Sequence, residues 1–256
     1  MSLAPRWIMR APVALAGLSL VVAGGCSAVL PNVQASDTVG KSMSTSAKQI
    51  EVTLTETGGV AILRATYAPD PNRPDRRGAS AFVTVPSGAV LVLRTSNGAV
   101  TASGLSGTVL ADTSNAEIAV SGGLEALRAR SSNGRIAVDG GIGLITLETS
   151  NAAIDVKATA ATIQAATSNG AITFAGSLAD GTSRLETSNA AISVALPRDA
   201  SFSIDAQTSN AKIATDFPVL GGSASDDRLT GTVGASGGAT LILKTSNGDI
   251  RVVAGS

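Results

Sequence analysis

Ser-Asn followed by Gly or Ala occurs eight times between Thr95 and Asn247, and seven of the eight copies read Thr-Ser-Asn. The asparagines are Asn97, Asn115, Asn133, Asn151, Asn169, Asn189, Asn210 and Asn247; the first five recur every 18 residues, and the later intervals are 20, 21 and 37. A short fixed period marks a stacked repeat architecture, in which each copy is covered by its neighbours and none is stable alone.

Apolar residues around the asparagine show the local structure. Six residues before it stand Leu91, Val109, Leu127, Ile145, Ile163, Ile204 and Leu241, and four before it stand Leu93, Ala111, Ala129, Leu147, Ala165, Leu185, Ala206 and Leu243. Both columns share a parity with Thr at minus two and with Asn itself, as in a strand with one buried face. After Asn the apolar columns are plus three, such as Val100, Ile118 and Ile136, and plus five, such as Val120, Val138 and Val156. The parity has flipped, which requires a corner at Asn-Gly or Asn-Ala. A second corner falls near plus seven, where Gly104, Gly122, Gly140 and Gly176 recur.

Successive hairpins or a β-solenoid could carry this pattern. The outward column at minus three runs Arg94, Asp112, Arg130, Glu148. Stacked about 4.8 Å apart, these residues alternate in sign and support one another, which favours a solenoid with one copy per coil. A coil of two copies would place like charge on like. Against that stands the residue after Asn, which alternates Gly98, Ala116, Gly134, Ala152, Gly170, Ala190 and hints at a doubled period. The expected fold is an all-β, single-stranded β-helix of about eight coils with irregular caps.

Four buried aliphatics per coil contribute about 6–12 kcal/mol at roughly 1.5–3 kcal/mol each. Ordering the coil costs about 1–2 kcal/mol per residue in backbone entropy, so an isolated coil does not hold. In a stack, each Asn amide can donate to one neighbour and accept from the other. Parity points Asn and Thr inward, as a structural ladder at a buried or half-buried corner, and leaves Ser and the charged columns outward. The alternative use of such a row is to bind sugar or ice. All nine prolines fall outside residues 87–196, where a proline would remove a ladder donor. Ile50 to Tyr67, broken at Thr57-Gly58-Gly59, is expected as a pair of strands capping one end, and the long Asn210–Asn247 interval as the other cap.

The N-terminus has the form of a targeting segment. Arg6 and Arg10 precede an apolar run from Ala11 to Ala23. The run ends in Ala23-Gly24-Gly25-Cys26, similar to a bacterial lipobox in which the cysteine is lipidated, although the usual Leu is here Ala23. Cys26 is the only cysteine, so it has no disulfide partner within the chain. An ordinary signal peptide or a short membrane anchor is the other reading; the run is short for a membrane-spanning helix. The organisation expected is a leader over 1–25, a flexible tether over 26–47, and a solenoid domain over 48–256. Ser27 resembles signals that permit sorting to an outer membrane. The expected address is the cell envelope, with the membrane reached through the N-terminal lipid.

Composition narrows the function. The chain has no histidine, the commonest general base and metal ligand. Near-neutral net charge gives no reason to expect nucleic-acid binding. Polysaccharide-cleaving β-helices need clustered ionisable groups on long loops, and coils of minimal length leave no room for a cleft. Asp226-Asp227 is the only acidic pair in the long interval and is expected to be solvated. No catalytic, metal or cofactor-binding residue is expected.

Leu-x-Leu-x-Thr-Ser-Asn-Gly coils, together with Leu196-Pro197-Arg198-Asp199-Ala200-Ser201-Phe202, Asp216-Phe217-Pro218-Val219 and the closing Lys244-Thr245-Ser246-Asn247-Gly248-Asp249-Ile250, resemble a bacterial family labelled adhesin. That family is a domain of unknown function found in envelope proteins, and the resemblance covers about residues 48–256. It implies a β-solenoid outside the cytoplasm and supplies no catalytic residues. The function expected is a non-catalytic scaffold that binds a cell-wall polymer, a glycan or an envelope protein. A regulatory or envelope-stress-sensing role is the alternative, and an enzyme a minor one.

Overall fold

Each repeat supplies two short strands, because its apolar residues alternate on both sides of a corner. In the computed structural model six strands precede the first copy: β1 (Leu15–Ala23), β2 (Cys26–Pro31), β3 (Ser42–Ser44), β4 (Ile50–Thr57), β5 (Val60–Tyr67) and β6 (Gly78–Pro86). These six are described by backbone alone; the structure describes Gly88 and residues 90–235 and 238–255 in full. The coils follow as β7 (Leu91–Arg94) with β8 (Val100–Leu105), β9 (Thr108–Asp112) with β10 (Ile118–Gly122), and β11 (Ala126–Arg130) with β12 (Ile136–Asp139). Next, β13 (Leu144–Glu148) leads into the first half of β14 (Ile154–Ala166), whose second half begins the coil that β15 (Ile172–Leu178) completes. The remainder is β16 (Gly181–Glu186), β17 (Ile192–Leu196), β18 (Phe202–Gln207), β19 (Ile213–Thr215), β20 (Val219–Ala224), β21 (Arg228–Val233), β22 (Ala239–Lys244) and β23 (Ile250–Ala254).

Strands before the Asn corner form one sheet and strands after it form another, with the core between them. Leu127 pairs in parallel register with both Val109 and Ile145, and Ile136 with both Ile118 and Ile154. One copy therefore makes one coil, and the fold is a β-solenoid, as the charge column implies. The four apolar columns line the interior: Leu93, Val100, Ile118, Ile136, Ile154, Ile172 and Ile192 are all fully buried. Positive φ at Gly104, Gly122, Gly140 and Gly176 makes the second corner; in the β14 coil Ala160 carries it.

Coils do not stack in sequence order at the C-terminal end. β22 pairs in parallel with β16 on one side and β18 on the other, and β23 lies likewise between β17 and β19. The last copy in sequence, at Asn247, is thus slotted between the copies at Asn189 and Asn210. Beyond the Asn210 coil, β21 runs antiparallel to β18 and β20 pairs with β21, which closes that end of one sheet. Phe202 and Phe217 plug the core beneath, their rings edge to face with centroids 5.6 Å apart.

At the other end β4 and β5 form the expected antiparallel pair, Ile50 opposite Tyr67. β2 lies between β5 and β7, and β1 between β6 and β8, all antiparallel. Backbone strands therefore run through part of the segments expected as leader and tether. Arg6, Arg10, the Cys26 side chain and residues 32–41 lie outside the described residues. No helix among the described residues is long and apolar enough to cross a membrane.

Candidate functional site

The Asn corner is the one surface feature repeated on every coil. Parity along the sequence puts Thr and Asn both inward, and half of that is corrected. Thr95, Thr113, Ser131, Thr149, Thr167, Thr187, Thr208 and Thr245 are buried, whereas all eight asparagines are exposed. Two successive residues, Ser and Asn, face outward at the bend, and the Gly or Ala after Asn turns back in. The flip falls one residue earlier than Asn-Gly because the chain is not extended there, and alternation holds only for extended backbone.

The buried Thr hydroxyl staples the corner. Within the glycine coils it accepts the amide of the residue three ahead, as Gly98 N–H to Thr95 at 3.1 Å and Gly248 N–H to Thr245 at 3.2 Å. It also donates to the preceding coil of the stack: Thr149 to the Gly134 carbonyl at 3.2 Å, Thr187 to Gly170 at 3.0 Å and Thr245 to Ala190 at 3.0 Å. Among the described residues no buried side-chain polar atom lacks a partner, as a packed interior requires.

Outside, the asparagine amides form one continuous ladder. Asn133 donates to Asn115 at 2.8 Å, Asn151 to Asn133 at 2.7 Å, Asn169 to Asn151 and Asn189 to Asn169 at 2.8 Å. Asn115 bonds to Asn97 in the same way. The ladder then follows space and not sequence: Asn247 donates to Asn189 at 2.8 Å and Asn210 to Asn247 at 2.7 Å. Every amide points the same way, and those of Asn169 and Asn247 also donate to the Ser150 and Ser188 carbonyls at 3.5 Å. Beside it runs a column of exposed serines, Ser96, Ser114, Ser132, Ser150, Ser168, Ser188, Ser246 and Ser209, whose hydroxyls have no hydrogen bond among the described residues. At about 4.8 Å per rung, the two columns make a polar ridge about 34 Å long.

The doubled Gly/Ala period has a steric cause. A Cβ on Gly134 would lie 1.7 Å from the Ala116 carbonyl oxygen, on Gly170 1.8 Å from that of Ala152, and on Gly248 1.8 Å from that of Ala190. Glycine is needed wherever a coil rests on an alanine coil. In spatial order the column reads Gly98, Ala116, Gly134, Ala152, Gly170, Ala190, Gly248, Ala211, an unbroken alternation. In sequence order Ala190 is followed by Ala211, and that break was a legible sign of the inserted rung.

The charged columns pair across coils. Arg94 lies 3.4 Å from Asp112, Arg130 2.7 Å from Glu148, and Arg135 2.7 Å from Asp155. The hydrogen bond to Glu148 raises the pKa of Arg130 above its ordinary value, and that to Asp155 does the same for Arg135. A shallow recess of about 270 Å³ on the outer face of the second sheet includes Thr101, Ala119, Ala137, Arg135 and Asp155 in its lining, and its Arg and Asp already engage each other. At the C-terminal cap, the carbonyls of Asp226 and Asp227 accept the amides of Ile213 and Thr208, and the Ser225 hydroxyl holds the Asp227 carboxyl below its ordinary pKa. Among the described residues, no group of three or more His, Cys, Asp or Glu side chains could hold a metal.

No curated protein and no solved structure showed a significant match to the chain. The family model described as Toastrack DUF4097 matches residues 32–253. With a β-solenoid of repeated coils and a match over most of its length, the chain belongs to the Toastrack family, a domain of unknown function.

Proposed function

We propose that this protein is a non-catalytic lipoprotein of the cell envelope whose solenoid acts as an adhesion or binding scaffold, with the Ser/Asn ridge as its contact surface. The observation that carries this reading is the row of free, exposed serine hydroxyls beside a locked amide ladder. Donors and acceptors held by the ladder lose little freedom on binding, so preorganisation favours a ligand that repeats at the same spacing. A hydroxyl-rich chain such as a cell-wall polysaccharide fits, because end-linked sugar rings advance by about one inter-strand spacing. The Ala23-Gly24-Gly25-Cys26 motif supports anchoring by a lipid on Cys26; processing there would take β1 from its place between β6 and β8.

Purified domain is mixed with insoluble cell-wall glycan and sedimented. Wild type is expected to pellet with the glycan. The Ser132→Ala/Ser150→Ala/Ser168→Ala variant is expected to remain in solution with its melting temperature unchanged. Equal pelleting of both removes the ridge from the reading, and no pelleting of wild type removes the glycan. Cys26→Ser is expected to move the protein from the membrane to the soluble fraction; unchanged association refutes the lipid anchor. Release of the domain by protease from intact cells supports adhesion, and full protection places the role inside the envelope.

A further inference from the structure

The rung formed by β22 and β23 occupies a slot whose walls are built from earlier sequence. One wall is the Asn189 coil and the other the Asn210 coil, and Pro197–Ser201 carries the chain past the slot. The walls cannot close on each other. A residue placed where Gly248 sits meets the Ala190 carbonyl oxygen 1.8 Å from any Cβ, and the Asn210 coil presents Ala211 there. Glu186 stands in register with Lys244 on the outward parity, whereas the Asn210 coil offers Gln207 at that place. Steric fit and charge both select the C-terminal arch over the coil beyond it.

What the slot recognises lies within Ala239–Ala254 and the residue on either side, the Gly238 carbonyl accepting from Gly181 N–H and Gly255 N–H donating to the Leu196 carbonyl. Leu241, Leu243, Ile250 and Val252 are fully buried in it. Asn247 donates to Asn189 and accepts from Asn210, Thr245 donates to the Ala190 carbonyl, and the Gly248 carbonyl accepts from Thr208. Only the sequence Gly234-Ala235-Ser236-Gly237-Gly238 joins this arch to the cap. An identical arch from another molecule would satisfy every one of these contacts.

We infer that the slot is an exchange site for a second copy of this chain, which inserts its C-terminal arch and receives the other's in return. The product is a reciprocally swapped dimer with native contacts in both slots. The short linker gives the chain's own arch a high effective concentration, so exchange is expected when chains fold together at high concentration. This inference is independent of the binding ridge, which the dimer would carry in two copies.

The test uses the full chain with Cys26→Ser. One tagged copy carries Glu186→Cys and a second, differently tagged copy carries Lys244→Cys. Neighbouring strands hold such a pair within reach of a disulfide. The two copies are refolded together at high concentration and mildly oxidised. A disulfide-linked heterodimer is expected, and Gly248→Ala on the Lys244→Cys copy should lower its yield about tenfold or more, equivalent to about 1.4 kcal/mol. A chain carrying both cysteines should close its bond internally. If the internal bond forms and no heterodimer does, the arch is not exchanged. If neither forms, the order of the rungs is wrong and the slot with it.

Discussion

Replacing Gly170 with Ala tests the account of the doubled period directly. The new Cβ would sit 1.8 Å from the carbonyl oxygen of Ala152, a backbone atom that cannot rotate away. Restoring ordinary contact requires the corner to lift by more than an ångström. That shift strains the bonds joining the two coils: Ser168 N–H to the Ser150 carbonyl at 3.2 Å, Asn169 N–H to the same carbonyl at 3.0 Å, the Asn169–Asn151 amide bond at 2.8 Å and the Thr167 hydroxyl to the Ala152 carbonyl at 3.2 Å. Four hydrogen bonds at about 0.5–1.5 kcal/mol each set the loss at about 2–6 kcal/mol. The reverse substitution, Ala152→Gly, meets no such clash and costs about 0.5–1 kcal/mol in backbone entropy. Equilibrium urea unfolding followed by circular dichroism measures both. Near-equal effects of the two substitutions, or a Gly170→Ala variant within about 0.5 kcal/mol of wild type, would refute the steric account.

Other substitutions and pH test the remaining contacts. Ile154→Asp puts a carboxylate at a fully buried position between Ile136 and Ile172 and is expected to lower stability by about 4 kcal/mol or more; an unchanged melting temperature would mean the inward face is misassigned. Asn151→Ala removes the ladder bonds to Asn133 and Asn169 at an exposed site and should cost about 1–2 kcal/mol, while Ser150→Ala should cost almost nothing; denaturant midpoints compare them. With no histidine, the melting temperature should be flat from about pH 6 to pH 8. The Asp227 carboxyl is lowered in the folded state, so its contribution is present above the ordinary carboxylate range and lost as pH falls through the folded value. Asp227→Asn should flatten the acid limb of the stability curve, and an unaltered limb would deny that contribution.

Most of the scaffold was legible because its causes are local. Leu93, Ile118 and Ile136 declare their face by spacing, and Arg94, Asp112, Arg130 and Glu148 declare one copy per coil by sign. The corner was misjudged by one residue, since parity counting assumes extended backbone and Ser96-Asn97 is bent. Asn therefore forms its ladder in water and not in the core, which leaves the ridge available to a ligand. The order of the last two coils is set by contacts between residues far apart in sequence, such as Asn189 with Asn247, so no local period states it. Its trace is nonetheless present in Ala190, Ala211 and Gly248, where alternation fails along the chain and is restored in space. Lys244 beside Glu186 is a second trace of the same kind.

The inserted rung also sets a timetable. The first six coils can add one upon another as the chain emerges, each resting on the one before. The coil at Asn210 and the cap it carries have no such support, because their contact with the growing stack runs through residues 239–254. Closure of that end is a late event of high sequence separation, and such events are slow. A chain that stops short of Ile250 cannot complete its stack, however well its earlier coils have formed. The inserted rung is thus a keystone: without residues 239–254 the Asn210 coil and the cap it carries have no stack to rest on.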